Sequence, residues 1–163
     1  MLDIRSAERR SIDCEYIRRE TGVQLPPDFV ALAEAYPPFT MADFLGVHIP
    51  SPGEEKYFVR GVQEFRGYLA EFRDAGMSHG HVPFPEPGGL LPWGDSAEGD
   101  RFCWKTSEAD SASWSVLVIG RNDDWCGYAG DLTSYLAGLA RGTVPPDGLP
   151  PDFPGRTPVI EAD

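Results

Sequence analysis

Residues 89–119 read GLLPWGDSAEGDRFCWKTSEADSASWSVLVI, and the fold turns on them. Short apolar runs separated by Gly, Ser, Asp and Pro are the mark of successive antiparallel strands, because each break supplies the backbone freedom a turn needs. The pattern predicts strands over Gly89–Trp93, Arg101–Thr106 and Trp114–Ile119, with a fourth around Trp125–Tyr128. In the third, Trp114, Val116 and Val118 share one face while Leu117 and Ile119 share the other. A strand apolar on both faces belongs inside a sheet covered on both sides.

Working outward, helical spacing takes over. Upstream, Phe58, Val62, Phe65, Leu69 and Phe72 recur at intervals of four, three, four and three, which makes 54–75 an amphipathic helix packed on the sheet. A run containing Phe44, Leu45, Val47 and Ile49 before Pro50 predicts a short strand over Asp43–Ile49. Pro26 and Pro27 suit the first turn of a helix carrying Phe29, Leu32, Ala33 and Tyr36, and Arg9–Glu20 reads as a charged helix before it. Downstream, Asp131 is placed to cap a helix over Leu132–Arg141, with Gly142 at its end. Helices grouped early and strands grouped late predict one α+β domain. Residues 143–163 hold six prolines with almost no periodicity and are expected to be extended or disordered.

Composition limits function. The 163 residues carry a formal charge of −12 with a pI near 4.6, which argues against nucleic acid and against an anionic membrane as partners. A field of that sign attracts basic proteins. No leader-like apolar segment and no run of about 18 apolar residues is present, so a cytoplasmic protein is expected. Cys14, Cys103 and Cys126 are odd in number and lack metal-ligand spacing, as suits free thiols in a reducing compartment.

Signs of catalysis are sparse. Neither G-x-S-x-G, H-E-x-x-H, a Walker-type loop nor G-x-G-x-x-G occurs. His79 and His81 with Glu86 nearby lack a third-ligand pattern for a metal. Asp95, Glu98 and Asp100 lie where a hairpin needs polar turn residues, a simpler account than a calcium or acid/base site. The expectation is a non-enzyme without cofactor or metal.

The uneven feature is the window from Trp93 to Trp125, which holds all four tryptophans. From Glu86 to Asp131 nine carboxylates, Glu108 among them, face Arg101, Lys105 and Arg121, a balance of −6 out of −12. Rigid rings bracketed by carboxylates suit an interface for a basic protein, the rings as anchors and the charges steering approach. Trp93, Asp95, Glu98, Asp110, Asp123, Asp124 and Trp125 are the candidate partner contacts. Trp104 and Trp114 are expected inside, with Trp93 and Trp125 at partial exposure.

The stretch from Pro92-Trp93-Gly94-Asp95-Ser96 to Gly99-Asp100-Arg101-Phe102-Cys103-Trp104 resembles the signature of the SUKH superfamily, the Smi/Knr-type domains, at Trp93, Gly94, Ser96, Gly99, Asp100 and Trp104. Thr21–Phe29, Trp114–Val118 and the helix from Leu132 resemble its flanking segments. The resemblance covers residues 10–142 and leaves 143–163 as a proline-rich tail. It implies a mixed, mostly antiparallel sheet flanked by N-terminal, middle and C-terminal helices. It also implies a protein-binding role: immunity proteins that neutralise secreted toxins, many of them nucleases, or regulatory modules that bind a cellular protein, peptide or small ligand. Under it Gly94, Gly99, Asp100 and Trp104 hold the scaffold, while neighbouring acids choose the partner.

Overall fold

The computed structural model describes residues 4–107 and 110–163, so Glu108 and its charge lie outside the described residues. In chain order the elements are α1 (Cys14–Thr21), α2 (Pro27–Ala35), β1 (Phe39–Met41), β2 (Leu45–Val47), α3 (Glu55–Asp74), β3 (Leu90–Ser96), β4 (Arg101–Lys105), β5 (Ser115–Ile119), β6 (Trp125–Tyr128), α4 (Leu132–Arg141) and β7 (Ile160–Ala162). Four helices and a seven-stranded sheet of order β6-β5-β4-β3-β2-β1-β7 make an α+β fold.

The sheet expected to be mixed but mostly antiparallel is antiparallel at every pairing between these strands, and its parallel element among the described residues is an isolated bridge between Pro83 and Leu90. The reason lies between β2 and β3. The 20 residues of α3 carry the chain roughly 30 Å along the sheet, and residues 75–89 bring it back before β3 begins. A return of this kind leaves β3 antiparallel to β2.

Helix ends follow local chemistry. Asp13 accepts from the Tyr16 amide at 2.8 Å and starts α1 there, later than the expected Arg9. Residues before it instead run beside α2, where the Ser6 and Arg10 amides each donate to α2 carbonyls at 2.9 Å. Asp131 accepts from the Ser134 amide at 2.7 Å to open α4, and Gly142, at φ 67°, closes it.

The two faces of the sheet bury separate clusters. Leu91, Trp93, Phe102, Trp104, Val116 and Val118 pack with α2 and α4 through Phe29, Leu132, Tyr135 and Leu136. On the opposite face Leu90, Cys103, Leu117 and Ile119 lie under Phe65 and Leu69 of α3. The two-faced character expected of Trp114–Ile119 is found, with β5 lying between β4 and β6.

The tail, expected to be extended or disordered, is ordered: a series of turns and extended stretches that ends in a strand. Phe153 is buried against Phe44 with ring centroids 5.0 Å apart, and residues 160–162 pair with β1 as β7. Phe153 supplies the largest apolar burial of the tail, and Val144, Leu149 and Ile160 pack partly buried against the same core. No helix among the described residues is long and apolar enough to cross a membrane.

Candidate functional site

An antiparallel meander sends alternate turns to the same end of the sheet, so the β1–β2, β3–β4 and β5–β6 turns gather there. Three contacts tie them: the Ala97 amide donates to the Phe44 carbonyl at 3.3 Å, the Arg121 amide to Asp100 Oδ1 at 2.9 Å, and the Arg121 guanidinium pairs with Glu98. Asp43, Glu98, Asp123 and Asp124 are exposed on these turns. The tail then crosses them, with Gly148 packed against Cys126 and Asp124, and adds exposed Asp147.

Asp100 holds this end rigid. Only 2% exposed, it accepts from the Ser96 hydroxyl and from the Arg121 amide, joining two successive hairpins. Ser96 Oγ in turn accepts from the Glu98 and Asp100 amides, at 3.2 and 3.0 Å. Gly99 takes φ 101°, a backbone that side chains disfavour. Trp104 is interior, edge-on to Phe29.

Gly94 has a different task. Between Pro92 and Gly94 the β3–β4 register shifts by one residue, a bulge that sets Trp93 and Gly94 together opposite Phe102. A Cβ on Gly94 would stand 2.6 Å from the Gly46 carbonyl oxygen. Trp93 follows Leu91 into the core by alternation, and the bulge turns Asp95 to the opposite face, opposite Arg101.

Two expected contacts therefore move. Trp93 is fully buried, packed on Phe102 and Tyr135, and cannot reach a partner. Asp110 lies at the other end of the sheet, in the β4–β5 connection, where it caps the short turn of helix at 111–113 by accepting from the Ala112 amide. Glu98, Asp123, Asp124 and Trp125 do come together at the turn end, and Asp95 lies beside them on the α3 face.

Trp125 is half-buried among the histidines. His81 stacks on it with planes 6° apart and centroids 5.1 Å apart, while His79 tilts against it at 5.3 Å. Asp123 Oδ1 accepts from Trp125 Nε1 at 3.0 Å and from His79 Nε2 at 2.9 Å. Those bonds, from Trp125 first, hold the Asp123 carboxyl below its ordinary range. Glu86 instead pairs with Arg73 at 2.7 Å. Among the described residues no three His, Cys, Asp or Glu side chains form a metal-ligand group. The three cysteines are free thiols, and burial drives the Cys103 pKa far up.

The sequence pattern did not single out a cleft of about 620 Å³ between α3 and β2–β4. There His48 Nε2 meets Asp95 Oδ1 at 3.1 Å, and Arg101 stands 3.6 Å from Asp95 and over the Tyr68 ring. The His48 bond is the main reason the Asp95 carboxyl sits below its ordinary range. The available signal was the alternation around β2, which sends Leu45 and Val47 to the core and His48 to the other face. Compared with models of known families, with curated proteins and with solved structures, the chain finds no match.

Proposed function

We propose that the protein is a non-catalytic binding domain whose acidic turn end covers a basic surface on another protein, as an immunity protein covers the active site of a secreted toxin. A nuclease is a fitting target, since its site must attract phosphate. The observation that carries this reading is the convergence of Asp43, Glu98, Asp123, Asp124 and Asp147 on one end of a sheet whose turns are cross-tied by Asp100. A preorganised net negative charge, in which only Glu98 is offset by Arg121, speeds encounter with a basic surface, and a half-buried indole beside it supplies an anchor. The SUKH-like motif agrees with this reading, since its residues serve the scaffold. Free thiols and a formal net charge of −12 suit a cytoplasmic protein that binds neither nucleic acid nor membrane.

The experiment is to express the product of the adjacent gene alone and together with this chain. Growth arrest relieved by co-expression is the expected result. With the purified pair, Asp123→Lys with Asp124→Lys should slow association about tenfold or more at low salt, and much less at high salt. An unchanged rate across salt concentrations overturns the electrostatic reading.

A second reading, a regulatory module for a cellular protein, peptide or small ligand, is favoured by the cleft beside α3. Under it the adjacent gene product is harmless and the ligand occupies the cleft.

A further inference from the structure

Residues 75–89 return the chain from α3 to β3 and meet the β5–β6 turn on the way. Two imidazoles make that contact. His79 Nε2 donates to Asp123 Oδ1 at 2.9 Å, while His81 stacks on the Trp125 ring. His79 and Asp123 both take left-handed backbone, φ 50° and 66°, a narrow region that limits where their side chains can point.

The charges around the two imidazoles come from several elements. Asp123 and Asp124 stand exposed on the β5–β6 turn, Lys105 ends β4 beside His81, and the imidazoles act on each other. At the end of α3, Arg73 is matched by Asp74 and Glu86. Tyr68 of α3 and Cys103 of β4 belong to the same cluster as Trp125, and burial raises both pKa values, so both stay neutral.

Histidine is the side chain whose charge ordinarily changes between about pH 5 and 8. Of the three in this chain, His48 is bonded to Asp95 in the cleft, which leaves His79 and His81 beside the turn. With both neutral, neither offsets the carboxylates of Asp123 and Asp124. With both cationic, two positive charges stand beside two negative ones. Asp123 stays ionised through this change, since its bonds from Trp125 and His79 hold its carboxyl below the ordinary range.

We propose that His79 and His81 make the acidic turn end proton-sensitive: in mildly acidic solution two imidazolium charges beside Asp123 and Asp124 offset the field that draws a basic partner, and binding there weakens. This inference rests on the turn-end reading of function and adds its regulation. Lysine and arginine on a partner keep their charge throughout, so the change belongs to this chain.

The test is NMR titration of the full chain with acetyl-hexalysine-amide in low salt, at about pH 7.5 and about pH 5. Saturable shifts at the Asp123 and Asp124 amides and the Trp125 indole N–H are expected at the higher pH, with affinity roughly fivefold lower at the lower one. His79→Gln with His81→Phe keeps a hydrogen-bond donor for Asp123 and a ring on Trp125 but gains no charge, so its affinity should be the same at both. His79→Gln alone, at an exposed side chain, should remove part of the dependence, and His48→Gln should remove none. Equal wild-type affinity at the two pH values overturns the inference and leaves the turn-end reading standing, as does a dependence that persists in the double variant or vanishes in His48→Gln. If the peptide shifts no turn-end resonance even at the higher pH, the turn-end reading falls and this inference falls with it.

Discussion

The imidazole of His81 lies parallel to the indole of Trp125, 6° between planes and 5.1 Å between centroids. Burial first, then the charges of Lys105 and His79, push the His81 pKa below its ordinary value of 6.5. A depressed pKa means the folded state binds fewer protons than the unfolded chain. Stability contributed by neutral His81 is therefore present above 6.5 and lost as pH falls through the lower folded value. Thermal unfolding of wild type should show a melting temperature that declines between about pH 7 and pH 5, and His81→Phe should flatten that decline. Equal declines in both proteins would mean His81 is not its source.

Gly94→Ala should destabilise more than an ordinary surface change. The added methyl would meet the Gly46 carbonyl oxygen at 2.6 Å, and backbone cannot move aside as a side chain can. A cost of about 1–3 kcal/mol is expected, read as a lower denaturant midpoint. Gly67→Ala, on α3 with open space around its Cβ, is the contrasting control and should be neutral or stabilising.

Asp100→Ala removes the acceptor for the Ser96 hydroxyl and the Arg121 amide together. Leaving those donors unpaired in a buried place should cost about 1–3 kcal/mol. Because the same residue ties the turns that carry Glu98 and Asp123, hydrogen exchange should also speed up at the β3–β4 and β5–β6 turns. A loss of stability without faster exchange there would show that Asp100 does not lock the turn end.

Phe153→Ala tests whether the tail is part of the folded unit. The ring is 8% exposed and packs on Phe44, so its loss should cost about 3 kcal/mol. Proteolysis should then cut within residues 143–163 before the rest of the chain. Wild-type resistance shared by the variant would mean that β7 alone anchors the tail.

Sequence periodicity by itself determined the α+β class, α3, α4 and the strand run from 89 to 128, because burial on one or two faces leaves a repeat of 3.6 or 2 in the chain. Composition also marked Glu98 and Asp100 as turn residues and located the acidic stretch around Asp123 and Asp124. Tertiary structure alone decided the rest. Trp93 and Asp95 differ by two positions and alternation would put them on one face, yet the bulge at Gly94 leaves Trp93 in the core and turns Asp95 to the cleft. Asp110 and Asp123 look equivalent as exposed acids, but successive connections of a meander point to opposite ends of the sheet. Phe153 and Phe44 are over a hundred residues apart, and no local spacing encodes a contact made only when the chain returns across its own turns.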